Sequence, residues 1–219
     1  KINNLIHYKF LEANKYIIQT LCLPDIYGIS RESYRDFSHL FSIARDYFNY
    51  GPKIFQLRLK LERNEKFREN IEKLSYEAKS NDVKLILNGV AEDLDFYPVD
   101  GIHLKSKELI NYSSRPISEN YILGASCHNK KELFEAEKLG VNYAFLSPVL
   151  EAKRHYDFPI LGWNSFENLV EQVNFPIYAL GGMSPAYLEV AKDHGAYGIA
   201  MIGAVEELLL EKNKQEPKS

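Results

Sequence analysis

A short apolar run ending in two glycines, Tyr178-Ala-Leu-Gly-Gly-Met-Ser-Pro185, has the local shape of an anion site. Ile177, Ala179 and Leu180 around a β-favouring Tyr178 predict a buried strand. Ser184 and Pro185 predict a helix start, because serine accepts a first-turn N–H and proline lacks the N–H that would go unpaired there. Between strand and helix, Gly181 and Gly182 would let backbone N–H groups approach a phosphate, with the positive end of the helix behind it. A bare tight turn is the competing reading. Other residues able to do chemistry stand just past predicted strands: Arg58 and Lys60, Asn88, His103 with Glu108, Ser126 and His128, then Lys153, Arg154 and His155. Together they would form a cationic, hydrogen-bonding rim carrying imidazole, the side chain that titrates near neutrality, and would suit a phosphorylated heterocycle or a carboxylate. Each also has a structural reading. Arg58 and Lys60 could pair with surface carboxylates, and His103 alternates with Ile102 and Leu104 and could belong to the core. Asn88-Gly89 is a favoured turn pair, Glu108 could be a surface cap, and 153–155 could be a solvated loop.

The elements that must position these residues repeat along the chain. Short apolar runs predict strands at 25–30, 54–58, 83–87, 99–104, 121–126, 142–146, 176–180 and 197–201. Amphipathic spacing predicts helices at 34–50, 64–79, 163–173, 184–194 and 204–212, and a short helical turn at 91–95. A further helix is capped by Asn129 with Glu132 as a capping box and closed by Gly140. Eight strands alternating with helices need parallel pairing and right-handed crossovers. The expected fold is therefore α/β, a closed (β/α)8 TIM barrel at 25–212, with an N-terminal helical arm at 1–24 and a disordered tail at 213–219. An open doubly wound sheet is the alternative, but no Gly-x-Gly-x-x-Gly follows the first strand. In the barrel, active residues gather at the C-terminal strand ends and phosphate sits by the loops after strands seven and eight, which begin here with Gly181-Gly182 and Ile202-Gly203. The loop at 147–162 is long enough to suggest a function of its own.

Composition narrows the partners. A net charge of −3, with Lys and Arg interspersed among Asp and Glu, gives no basic stripe for nucleic acid. No apolar run reaches the roughly 20 residues of a membrane span. Only Cys22 and Cys127 are present, which points to a reducing, cytoplasmic setting without a disulfide framework or a cysteine zinc site. The chain starts at Lys1, and a processed chain or a piece of a longer one is expected.

Gln-Leu-Arg-x-Lys (56–60), Asn88, Asp-Gly-Ile-His-Leu (100–104), Gly-x-Ser-x-His (124–128), Ser-Pro-Val (147–149) and Ala-Leu-Gly-Gly-Met (179–183) together resemble the thiamine phosphate synthase/TenI family of (β/α)8 barrels. The resemblance runs from 25 to about 205. Leu-Asn-Gly, Gly-Ala-Ser-Cys-His-Asn and Leu-Gly-Trp are most similar to the TenI-like domain found behind a Nudix hydrolase domain, which implies an N-terminal Nudix partner in a parent chain. A homodimer is also compatible. By position, the resemblance implies that Gln56, Arg58 and Lys60 meet a pyrimidine diphosphate in a synthase, and that Gly182, Ile202 and Gly203 hold a thiazole phosphate through backbone N–H groups.

Departures from the family pattern divide the function. Synthases follow the strand-three asparagine with an aspartate that binds Mg2+; this chain has Gly89. Their second metal aspartate is replaced by Glu108, the one metal-ligand candidate, and their Thr-x-Thr-Lys segment is Ala152-Lys153-Arg154-His155. Mg2+ is therefore implied only if synthase activity survives, since the ion supplies several kcal/mol to a diphosphate displacement. The glycine turn and the Ser126-x-His128 pair are what a TenI-like thiazole tautomerase needs, with His128 moving the proton. Three readings follow: the tautomerase, a residual thiamine phosphate synthase, and a non-catalytic phosphate-ligand domain regulating a fused hydrolase.

Overall fold

Period-two alternation decides how this chain closes on itself. In a computed structural model that describes residues 20–32, 37–50, 52–151 and 158–202, eight parallel strands follow one another in sequence order around a closed barrel. They are β1 (Ile26–Ile29), β2 (Ile54–Leu57), β3 (Lys84–Asn88), β4 (Gly101–Leu104), β5 (Ile122–Cys127), β6 (Tyr143–Leu146), β7 (Ile177–Leu180) and β8 (Gly198–Met201). β8 pairs back onto β1, with Gly28 opposite Met201. The described α-helices are α1 (Phe37–Tyr50), α2 (Glu65–Ser80), α3 (Lys130–Lys138), α4 (Gly162–Val170) and α5 (Leu188–Asp193).

Alternate strand residues fall into two packed clusters. One, with Phe55, Leu85, Leu87, Ile102, Leu123 and Ala144, meets helix residues such as Leu40, Ile71 and Leu133, so this is the outward face. The other holds Tyr27, Ile86, Tyr143, Phe145 and Tyr178 with no helical partner among the described residues, and fills the barrel interior. Both strand faces are covered, which is why Leu85-Ile86-Leu87 is continuously apolar instead of alternating with polar residues. The floor is closed from below: Tyr178 Oη donates to the carbonyl of Pro24 at 2.5 Å and Tyr197 Oη to that of Leu23 at 2.6 Å. Asp100 and Asn142 perform one task at two strand starts. Asp100 Oδ2 accepts the Leu85 N–H at 3.0 Å and Asn142 Oδ1 that of Leu123 at 2.8 Å, each tying its strand to the preceding one.

The expected barrel is the observed fold, and several elements differ in detail. The helix predicted at 184–194 divides into a 3-10 turn (Pro185–Tyr187) and α5, and Ser184 makes no side-chain cap bond although it occupies the cap. Its extended backbone instead offers its carbonyl to Tyr187 N at 2.9 Å. The helix predicted at 163–173 stops at Val170. A 3-10 helix at Ser106–Asn111 carried no apolar periodicity to announce it. Asn129 caps α3 as expected, accepting Glu132 N at 3.0 Å, but the Glu132 carboxylate returns to the N–H of His128, one residue before the cap. The arm at 1–19, the last helix at 204–212 and the tail at 213–219 lie outside the described residues. Among the described residues no helix is long and apolar enough to cross a membrane, and both cysteines are free.

The contrast between two caps is measurable. Asn64 Oδ1 accepts Phe67 N at 2.9 Å at the start of α2. Asn64→Ala should lower unfolding free energy in urea by about 1 kcal/mol, and Ser184→Ala by a few tenths at most.

Candidate active site

The C-terminal ends of the strands bring most of the sequence-selected residues to one rim. Gln56 is the last inward residue of β2 and is 2% exposed. Its Oε1 is buried with no hydrogen-bond partner, a cost of about 1–3 kcal/mol unless something else supplies a donor. Ser30 holds the neighbouring backbone: its N–H bonds the Gln56 carbonyl at 2.9 Å and its Oγ accepts the Arg58 N–H at 2.8 Å. Asn88 ends β3 directly opposite His103 of β4. Ser126 is an inward residue near the end of β5, and His128 stands two residues beyond it.

His103 lies inside the barrel, 1% exposed. Its Nε2 is 2.8 Å from Ser126 Oγ, its Nδ1 is 3.2 Å from Tyr143 Oη, and that hydroxyl is 2.6 Å from Tyr27 Oη. The imidazole also stacks on Phe145 at 4.4 Å. Burial, with the Arg58 charge adding to it, lowers the His103 pKa to about 3, so the ring is neutral at ordinary pH. Burial likewise pushes the Tyr27 and Tyr143 hydroxyls well up, keeping both protonated. Gly124 explains how the ring and the phenol can meet. A Cβ there would lie 2.2 Å from the Tyr143 ring and 2.7 Å from His103 Nδ1.

His128 is oriented by a different neighbour. Its Nδ1 is 2.7 Å from the carbonyl oxygen of Ser147. A carbonyl can only accept, so Nδ1 carries the hydrogen and, in the neutral ring, Nε2 is a bare base. The ring stacks flat on Phe158 at 3.8 Å and 10°. No other side-chain partner of His128 occurs among the described residues apart from Ser147 Oγ at 3.4 Å from the same Nδ1.

The glycine turn follows β7. Gly181 and Gly182 have φ of +98° and +68°, a region that side-chain-bearing residues rarely adopt. A Cβ on Gly182 would meet the Glu151 carbonyl at 2.6 Å. The loop after β6 is laced onto this turn, with Val149 N bonded to Leu180 O at 2.9 Å and Leu150 N to Gly181 O at 3.2 Å. The amides of Gly181 and Gly182 donate no backbone bond to another described residue. Ile202 packs at the top of the interior cluster, while Gly203, Lys153, Arg154 and His155 lie outside the described residues.

Three sequence-selected residues are engaged elsewhere. Arg58 pairs with Glu32 at 3.5 Å. Lys60 is exposed and lines, with Glu32, Phe37 and Asn64, a cleft of about 530 Å3 beside the rim. Glu108 accepts from Asn111 Nδ2 at 2.8 Å and sits 3.8 Å from Lys107. A residue that sequence reasoning missed is Asp93. It is 5% exposed, accepts the Val90 N–H at 2.9 Å and pairs with Arg63 at 2.9 Å. Its Oδ2 stands 2.4 Å from where a Cβ of residue 89 would be. Only the motif's local bond to Val90 could have signalled it, since the Arg63 pairing spans 30 residues.

These contacts bear on the Mg2+ of a synthase. The position that would carry its first carboxylate is Gly89, the space beside it is filled by an aspartate already paired with a guanidinium, and Glu108 is bonded to Asn111. Among the described residues no group of three or more His, Cys, Asp or Glu side chains is arranged to hold a metal ion. Among the described residues, the side chains at these positions do not make a set that fits the ion.

Comparison with known proteins adds the family. The profile described as thiamine monophosphate synthase matches residues 26–205. A protein provisionally named thiamine-phosphate synthase 2 in Aquifex aeolicus (strain VF5) is 30% identical over 185 residues, covering 82% of this chain and 96% of that protein. The thiamine-phosphate synthase of Halalkalibacterium halodurans is 29% identical over 182 residues, covering 82% of this chain and 86% of its own. Among solved structures, thiamine phosphate pyrophosphorylase from Pyrococcus furiosus superposes with a TM-score of 0.70 at 23% identity, over 87% of this chain and 94% of that one, which establishes a common fold.

Two consequences of the interior geometry can be measured. An unfolded histidine takes up its proton near 6.5 and His103 in the fold only near 3. Between those values the unfolded chain binds more protons, so stability present above 6.5 is lost as the pH falls toward 3, by up to about 1.4 kcal/mol per pH unit. Thermal melts across that window should flatten in His103→Gln, and an unchanged acid slope would remove His103 as its source. Gly124→Ala should cost about 1–3 kcal/mol in urea unfolding by overpacking Tyr143 and His103.

Proposed function

This chain belongs to the thiamine monophosphate synthase family, and within it we propose that the barrel mouth binds a phosphorylated five-membered heterocycle and moves a proton on it, as a TenI-like thiazole tautomerase. The observation that carries this reading is the His128 imidazole, whose Nδ1–H is committed to the Ser147 carbonyl. That bond leaves Nε2 as the one nitrogen able to take a proton from a ring carbon and return it to the neighbouring position. Phe158 against the ring face limits its rotation. The positive-φ turn at Gly181 and Gly182 is the candidate cradle for the phosphate, its amides bonded to no backbone acceptor among the described residues. The buried, unpartnered Gln56 Oε1 is a candidate acceptor for a donor on the heterocycle. Nothing in this chemistry calls for a metal.

Thiamine phosphate synthesis is the second reading, favoured by the names of the relatives. The Asp93–Arg63 pair beside Gly89 speaks against it.

His128→Asn removes the titrating nitrogen and keeps the size of the side chain. With a thiazole phosphate carboxylate as substrate, it should lose roughly 10²- to 10⁴-fold in rate, while the affinity for inorganic phosphate measured by calorimetry stays within about twofold. Turnover of the mutant at the parent rate would sink the tautomerase. Diphosphate release from a pyrimidine diphosphate and a thiazole phosphate, dependent on Mg2+, would put the synthase in its place.

A further inference from the structure

Tyr27, Tyr143, His103 and Ser126 form one unbranched line of hydrogen bonds up the inside of the barrel. Each member carries a single hydrogen that can bond: a phenol O–H, a neutral imidazole N–H or a serine O–H. With four hydrogens and three links, one hydrogen is always left over, and the link directions decide which. Pointing to the mouth, Tyr27 donates to Tyr143, Tyr143 to Nδ1 of His103, and Nε2–H to Ser126 Oγ, which leaves the Ser126 hydrogen over. With the imidazole hydrogen on Nδ1 instead, Ser126 donates to Nε2 and Nδ1–H to Tyr143, which leaves over the Tyr27 hydrogen if Tyr143 donates to Tyr27, or the Tyr143 hydrogen if Tyr27 donates.

The leftovers are unequal, since Tyr143 is fully buried like Tyr27. Tyr27 is fully buried and Tyr143 is its one hydroxyl partner, whereas Ser126 is half-buried at the strand end facing the mouth. Stranding a buried donor disfavours an arrangement by roughly one to two orders of magnitude, and a hydrogen at an accessible mouth finds water or ligand. We infer that the line runs mouthward, so that Ser126 keeps its O–H available to donate to whatever binds, with Tyr143 and His103 as the positioning residues that fix this polarity. The neutral state that burial imposes on His103 keeps a single hydrogen on the ring. Phe145 stacked on the imidazole at 4.4 Å and the Tyr143 hydroxyl on its Nδ1 resist a ring flip.

A ligand that uses this hydrogen brings an acceptor to Ser126, a carboxylate oxygen or an unprotonated ring nitrogen. Next to a bare Nε2 on His128, this gives the mouth one fixed donor and one fixed acceptor, the arrangement in which one atom of a heterocycle is polarised while another loses its proton. In that last respect the inference deepens the proton-transfer reading and rests on it. The polarity itself does not.

The test is nitrogen-15 spectroscopy of the imidazoles in the full-length, uniformly labelled, ligand-free chain, with His103 assigned by its loss in His103→Gln. A directly bonded hydrogen on Nε2 and a bare Nδ1, unchanged between about pH 5 and 8, is the expected state. Tyr143→Phe should move the bare Nδ1 resonance further from the protonated one, since its hydrogen bond is gone. Tyr27→Phe should leave both resonances nearly in place. A role in packing alone would make the two phenylalanine variants behave alike. A hydrogen on Nδ1 in the parent protein overturns the inference, as does a Tyr143→Phe spectrum with Nδ1 unmoved. Should Tyr143→Phe fail to fold, the parent tautomer alone decides. Because the spectrum is read without substrate, an absence of tautomerase turnover and a wrong polarity are separate results.

Discussion

A barrel packed with tyrosines must find a partner for every hydroxyl it encloses. Five of the largest fully buried side chains here are tyrosines: Tyr27, Tyr47, Tyr97, Tyr143 and Tyr178. Tyr178 spends its hydroxyl on the Pro24 carbonyl at the floor and Tyr47 on the Ile54 carbonyl outside. Tyr27 and Tyr143 have no carbonyl within reach and turn to each other, and the remaining bond capacity passes to His103 and then to Ser126. Gly124 is glycine because that contact leaves no room for a Cβ. The requirement to satisfy buried polar groups thus links the barrel interior to a half-buried serine at the mouth.

Two electrostatic regimes meet at this boundary. Below Ser126 the interior admits only neutral forms, as the lowered His103 pKa and the raised phenols record. Above it the rim carries charges in pairs, Arg58 with Glu32 and Arg63 with Asp93. The second pair closes the loop after β3 by occupying the space beside Gly89 and bonding the Val90 amide. A loop held by a guanidinium has little reason to attract a cation. The residues proposed to move a proton, in contrast, are held by neutral groups: His128 by a backbone carbonyl and Ser126 by a neutral imidazole.

The loop after β6 joins these parts. It supplies the carbonyl that sets the His128 tautomer, and its next residues bond to the glycine turn after β7 through Val149 and Leu150. The base and the proposed phosphate cradle are therefore positioned by one segment. A change that shifted Ser147 to Leu150 would displace both at once, which favours a ligand spanning the two.

Periodicity and punctuation in the sequence determined the barrel. Eight buried runs, each four to six residues long as strands, alternate with amphipathic segments. Asn64 and Asn129 announce helix starts, Gly140 a helix end and Gly181-Gly182 a turn. All of these depend on neighbours within a few residues, where backbone stereochemistry and local hydrogen bonds are decisive. The rim residues Asn88, Ser126 and His128 were legible for the same reason, as strand ends in a fold whose strand ends share one face, whereas Gln56 was legible only through the family resemblance. The tertiary structure alone decided what each side chain does there. His103 meets Tyr143 across 40 residues, Tyr27 meets Tyr143 across 116, and Arg63 meets Asp93 across 30. Such pairings follow from the stagger with which eight strands close, and the chain reveals which residues face inward but not which of them come within hydrogen-bonding distance once the circle is complete.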